Sequence, residues 1–245
     1  MNVRRATARI HELLSAEGVP ERAAQEKRYL KSDLEHLGVS VPAIRRVVKD
    51  FVRRHPELDR GEVVELADAL WREPVHERRM AAVELLDLFG DRLLADDLAL
   101  VERLIREART WALVDGLAAS VAGRLVDRFP STGDALDRWA ADEDFWVRRA
   151  ALLALLLPLR KGDGDFGRFS RYADAMLEER EFFIRKAIGW VLRETSKRRP
   201  DLVYEWLAPR AARAAGLTVR EATKYLPEDQ RRAISDARAA AQAGT

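Results

Sequence analysis

The chain has 245 residues, of which 47% are apolar and 34% charged, with 43 Lys+Arg against 41 Asp+Glu and no cysteine. That length is enough for one large domain or two small ones with a sizeable core, and the composition excludes long disorder. The lack of cysteine excludes a disulfide framework, a thiolate nucleophile and a thiolate metal site. Residues 1–18 contain no apolar h-region of a signal peptide. No apolar run approaches the ~20 residues needed to cross a bilayer, so a soluble, cytoplasmic protein is expected.

Taken in chain order, the punctuation falls at Gly18-Val19-Pro20, Val41-Pro42, His55-Pro56, Glu73-Pro74, Phe129-Pro130, Gly162 to Gly167 and Arg199-Pro200. Each interval between breaks is one or two helices long. Val63, Leu66, Ala67 and Leu70 follow the i, i+3, i+4, i+7 spacing of a buried helix stripe. Leu94, Leu98, Val101 and Ile105 follow it less strictly, with Leu104 alongside. The apolar run from Ala150 reads as a helix ending at Pro158. Strand-like alternation is absent, and the chain reads as about twelve to fourteen helices and no sheet.

Four segments are similar to one another, beginning at His76, Ala112, Trp146 and Phe183. They put Arg79, Asp115, Arg149 and Lys186 at equivalent positions, 36, 34 and 37 residues apart. A period of this size with two helices per unit reads as a HEAT-like solenoid, because one helix pair cannot bury both of its faces alone. The expected fold is therefore all-α, with the equivalent positions on one concave, basic wall. Residues 1–227 are expected to form a single repeat domain and 228–245 an Ala-rich C-terminal helix or tail.

Charge is unevenly distributed. Residues 1–145 carry 23 basic and 28 acidic side chains, a net of −5, and residues 146–245 carry 20 and 13, a net of +7. Arg180 to Arg199 alone holds seven basic and two acidic residues. Clustered cations attract polyanions even when total charge is small. A solvated helix surface gives the same count, since Arg and Lys are good helix formers. A curved wall could equally hold a partner helix.

Two familiar patterns are excluded. Gly162-Asp163-Gly164-Asp165-Phe166-Gly167 fits G-x-G-x-x-G by letter, but no strand feeds it and two aspartates would repel a pyrophosphate. The four histidines, His11, His36, His55 and His76, share no ligand spacing. There is no G-x-S-x-G elbow and no Walker loop, and no metal or cofactor site is expected.

Trp111 and Asp115 are i, i+4 and share one helix face, with the aspartate inside an otherwise apolar run. An exposed aspartate near a helix start, favoured by the dipole, is the plain alternative. Arg148 and Arg149 follow Asp144-Phe145-Trp146 at a helix start, and Arg185 and Lys186 follow Glu181-Phe182-Phe183 in the same way. Cations are poorly placed there for the dipole, so two such pairs at equivalent positions suggest a bound anion. Trp190 lies one turn after Lys186. Trp71, Trp139, Trp146 and Trp206 are assigned to packing.

At these residues the chain resembles the AlkD-type DNA alkylation repair enzymes, HEAT-like DNA glycosylases. The resemblance rests on Trp111-x-x-x-Asp115, Phe145-Trp146-x-x-Arg149-x-Ala151, and Phe183-Ile184-x-Lys186-Ala187-Ile188-Gly189-Trp190-x-Leu192-Arg193-Glu194. Tyr29-Leu30-Lys31 and Leu37-Gly38-Val39-x-Val41-Pro42 match the family's opening helices. The likeness spans roughly Ala23 to Lys224. It implies excision of cationic N3- and N7-alkylated purines from double-stranded DNA, without base flipping. It casts Asp115 as the catalytic carboxylate, Trp111 and Trp190 as aromatics around the lesion sugar, and Arg149 as a phosphate clamp. Arg148 would share that role, and Tyr29 would be a further contact. The expected state is a monomer without cofactor, metal or membrane. Some branches of the family bind DNA without glycosylase activity, so a non-catalytic HEAT-like module binding DNA structure or protein is the alternative.

Overall fold

A computed structural model of the protein describes residues 1–243, so Gly244 and Thr245, the end of the expected C-terminal helix or tail, lie outside the described residues. The fold is all-α and HEAT-like: helices follow one another throughout, and there is no strand among the described residues. The only extended pairing described is a single parallel bridge between Glu35 and Val75. The chain divides into two compact units, Met1–Leu125 and Val126–Thr245. No described helix is long and apolar enough to cross a membrane.

The first unit holds α1 (Val3–Ala16), α2 (Pro20–Leu30), α3 (Val41–Arg54), α4 (Arg60–Arg72), α5 (His76–Leu88) and α6 (Leu98–Ala108). Local signals set the starts. Ser40 accepts a hydrogen bond from the Ala43 N–H and Pro42 occupies the first turn of α3. Asp59 and Glu62 form a reciprocal capping box on α4. Pro20 opens α2. Helix α5 packs on α3 and α4, and α4 on α1. Their shared core includes Leu14, Ile44, Leu58, Leu66, Leu70, Trp71, Leu85 and Leu86, none more than 1% exposed.

The stripe of Val63, Leu66, Ala67 and Leu70 is fully buried. The stripe expected from Leu94 is shorter than its sequence spacing suggests. Leu98, Val101, Leu104 and Ile105 are buried in α6, but Leu94 is 46% exposed. Its backbone is extended (φ −113°, ψ 167°), and its N–H is bonded to Oδ2 of Asp97 at 2.8 Å. The aspartate thus competes for the backbone and delays the helix start.

The next helix is continuous but not uniform. Trp111–Asp115 is α-helical (α7), Gly116–Ala122 is π-helical, and Gly123–Arg128 returns to α (α8). Its π segment packs on α5 and α6. Gly116 makes the approach to α5 possible, since a Cβ there would lie 2.7 Å from Cγ1 of Val83.

The second unit holds α9 (Gly133–Ala140), α10 (Phe145–Leu153), α11 (Leu156–Lys161), α12 (Phe166–Ala175), α13 (Phe182–Ser196), α14 (Pro200–Leu207), α15 (Gly216–Ala222) and α16 (Glu228–Ala243). Helix α13 is central, packing on α10, α11, α14 and α15. Its buried face is Ile184, Ala187, Ile188, Val191 and Leu192. The apolar run from Ala150 does not end at Pro158. It breaks at Ala154 and Leu155, and Pro158 is the third residue of α11. The first turn of a helix has no intrahelical acceptor for that N–H, so proline fits there. Gly162 and Gly164 both have positive φ in the loop ahead of α12, and Asp165 caps α12 through the Arg168 N–H. The loop joins two helices, as expected.

The four similar segments open four helices: α5 at His76, α7 at Trp111, α10 at Phe145 and α13 at Phe182. Arg79 is the fourth residue of its helix, and Asp115, Arg149 and Lys186 are each the fifth. The repeat is therefore a property of the backbone within a residue, in both units.

Candidate functional site

Three of the residues singled out from the sequence lie in the first unit. Trp111 opens α7 and Asp115 closes it, so one turn separates them on one face. Their apolar neighbours Leu113 and Val114 are fully buried, whereas Trp111 and Asp115 are half-buried. The helix buries its other side and presents the indole and the carboxylate. Asp115 is also the last residue before the π segment. Such segments widen the helix and redirect side chains, and they recur at functional sites. Tyr29, near the end of α2, is 74% exposed. Its ring meets Trp111 edge-on, with centroids 6.0 Å apart and planes at 90°. Sequence alone gave no reason to pair residues 82 positions apart.

The remaining five lie in the second unit, and their surroundings differ sharply. Arg149 is only 2% exposed. One of its Nη atoms donates to the Phe183 carbonyl at 2.5 Å, and its guanidinium sits 5.7 Å from the Phe183 ring centre. Arg148 donates to both oxygens of Glu179, at 3.0 and 2.8 Å, and to the carbonyls of Asp142 and Glu143. Arg185 donates through Nε to the Glu179 carbonyl at 2.6 Å. All three arginines therefore hold helix ends together. Two helix starts that looked costly for cations are compensated by carbonyl and carboxylate acceptors.

Lys186 is different. It is exposed, and its described contact is with the ring of Phe182 at 5.8 Å. Arg180 and Arg198 are also exposed. These are the cations of Arg180 to Arg199 best placed to meet an anion. Arg193 and Lys197 are instead paired with Glu221 and Glu194. Trp190 is half-buried, one turn along α13 from Lys186.

Aromatic packing joins the two helix starts. Trp146 lies 4.8 Å from Phe183, which lies 5.2 Å from Phe182. Trp71, Trp139, Trp146 and Trp206 are buried, at most 9% exposed, as packing requires. Phe182 is 51% exposed, and nothing in the sequence set it apart. An apolar residue at a helix start gave no signal separating a solvent-facing ring from a core one.

Known proteins resemble this chain in sequence and in fold. Residues 10–226 match the family described as DNA alkylation repair enzyme. No curated protein matches the chain by sequence. A predicted DNA alkylation repair enzyme from Enterococcus faecalis is 24% identical with a TM-score of 0.76, covering 86% of this chain and 98% of its own. AlkD2 from Streptococcus mutans is 18% identical with a TM-score of 0.63, covering 92% and 99%. The smu.31 protein of Streptococcus mutans UA159 is 20% identical with a TM-score of 0.56, covering 76% and 99%. At these identities the solved structures establish a common all-α fold. With more than four-fifths of its length matched, the chain belongs to the DNA alkylation repair enzyme family.

Proposed function

We propose that the protein is a DNA glycosylase that excises cationic N3- and N7-alkylated purines from double-stranded DNA without flipping the base. The observation that carries this reading is the pair of Trp111 and Asp115, one turn apart on the partly exposed face of a helix whose other side is fully buried. An alkylated purine with a positive charge is already a good leaving group, so no general acid is needed. Breaking the N-glycosidic bond develops positive charge on the sugar. A fixed carboxylate stabilises that charge and orients water toward C1′. Indole faces attract the same cation, which gives Trp111 and Trp190 their role, with Tyr29 supporting Trp111. Lys186 supplies a phosphate contact. Arg148, Arg149 and Arg185 act on DNA mainly by fixing the helix ends beside it. The protein would act as a cytoplasmic monomer with no cofactor.

The second reading is a non-catalytic module that binds DNA structure or protein. The internal engagement of Arg148 and Arg149 favours it, since fewer cations face a polyanion than the sequence count implies. Incubation with duplex DNA carrying one N7-methylguanine, scored for abasic sites, decides between them. Release of the base by the wild-type protein and its loss in Asp115→Asn supports the glycosylase. No release with retained DNA binding supports the module.

A further inference from the structure

Away from the residues discussed above, the first unit contains a buried carboxylate with no counter-charge. Glu77, in the first turn of α5, is 0% exposed. It accepts hydrogen bonds from the backbone N–H groups of Leu37, Gly38 and Val39, at 2.9, 2.7 and 3.2 Å. Gly38 is held tightly there, with φ +80° and a notional Cβ 2.1 Å from the Val19 carbonyl. No lysine, arginine or histidine forms an ion pair with Glu77 among the described residues. Three amide dipoles partly offset a buried anion, but a full countercharge is worth more in that environment.

His36 stands next to it. Both ring nitrogens of His36 are shielded from solvent and have no hydrogen-bond partner. The ring lies flat on His76, with centroids 4.5 Å apart and planes within 8°. His76 is itself 6% exposed, with an unpartnered Nδ1. Unpaired buried imidazole nitrogens are costly and call for an occupant.

Glu26, on α2, completes the arrangement. One oxygen of Glu26, one of Glu77 and a ring nitrogen of His36 all lie within 4.8 Å of one another. Ligand atoms around a tetrahedral zinc are about 3.4 Å apart, given bonds of about 2.0–2.2 Å, so a small rotation of Glu26 closes the set. Glu26 pairs with Arg22 through one oxygen on a solvated helix face, a weak bond that leaves the second oxygen available. A cleft of about 490 Å³ lined by Lys27, Asp33, Glu35 and His36 gives an entry path.

We propose that Glu26, His36 and Glu77 form a divalent-cation site, with a water as fourth ligand. One imidazole and two carboxylates suit zinc, and zinc outranks manganese and iron in affinity for such donors. The ion neutralises Glu77 and ties α2 and the loop at Leu37–Val39 to the start of α5. The site is structural and independent of the proposed reaction.

The test is calorimetric titration of the chelator-treated full-length protein with Zn²⁺ alone, alongside thermal melting. One ion per chain and a raised Tm are expected. His36→Gln and Glu26→Gln should each weaken binding more than tenfold, and His55→Gln, at a half-buried histidine outside the cluster, should leave it unchanged. Glu26 is half-buried on a helix, so Glu26→Gln folds even if His36→Gln does not. Absence of saturable binding, or an affinity unmoved by Glu26→Gln, overturns the proposal.

Discussion

The ring of Tyr29 stands edge-on to Trp111, with centroids 6.0 Å apart and planes perpendicular. An edge-to-face pair is worth about 0.5–1.5 kcal/mol beyond its buried area, and Tyr29 is mostly solvent-exposed. Tyr29→Ala should therefore lower stability by no more than about 1.5 kcal/mol. It removes this contact from Trp111, so base excision should fall more than stability does. Chemical denaturation and single-turnover excision, measured on the same variant, check this.

Asp115→Asn should leave the fold and DNA binding nearly intact and lower excision of N7-methylguanine by about 10²–10³-fold, the usual cost of removing one preorganised electrostatic group. Asparagine keeps the shape and loses the charge, which matters most when the sugar cation is fully developed. Trp111→Ala and Trp190→Ala should each cost less. Neutral lesions such as uracil should not be released. A wild-type excision rate in Asp115→Asn sinks the carboxylate mechanism.

Lys186 and Arg148 should separate under salt titration. Lys186→Ala removes an exposed cation, so the log–log slope of DNA affinity against salt should flatten by about 0.9 with no loss of Tm. Arg148→Ala removes four hydrogen bonds, two of them to Glu179. It should cost about 1–3 kcal/mol of stability and change the slope little. The reverse pattern would make Arg148 the phosphate contact.

Glu194 is buried and lies within 3.5 Å of Arg160, Arg193 and Lys197. Burial pushes its pKa up, but Lys197 and the two arginines outweigh it, and the folded value is below the ordinary one. A depressed carboxylate pKa stabilises the fold above the unfolded value, about 4.3, and that contribution is lost as pH falls through the folded value. Glu194→Gln should lower Tm at pH 7 and flatten the acid limb below about pH 4.3. An acid limb as steep as that of the wild type would refute the assignment.

Gly116→Val places side-chain atoms where Val83 already packs. Overpacking of this kind costs about 1–3 kcal/mol. The same substitution shifts the helix next to Asp115, so excision should drop even at temperatures where the variant is folded. Full activity with normal stability would show that the π segment tolerates the bulk.

The sequence by itself determined the helical class, the breaks between helices and the near-even recurrence of helix starts at His76, Trp111, Phe145 and Phe182. Apolar spacing, capping residues and prolines are local signals, and they act over a few residues. It also put Trp111 and Asp115 on one face, because i, i+4 geometry is fixed once a helix forms. Tertiary structure decided the rest. Whether Arg148 and Arg149 meet solvent or Glu179 and Phe183 depends on residues more than 30 positions away. The meeting of Glu26, His36 and Glu77 has no motif spacing, and neither does the contact of Tyr29 with Trp111. A charge count along a chain cannot tell a paired arginine from a free one, because pairing is settled only when helices dock and desolvate their ends.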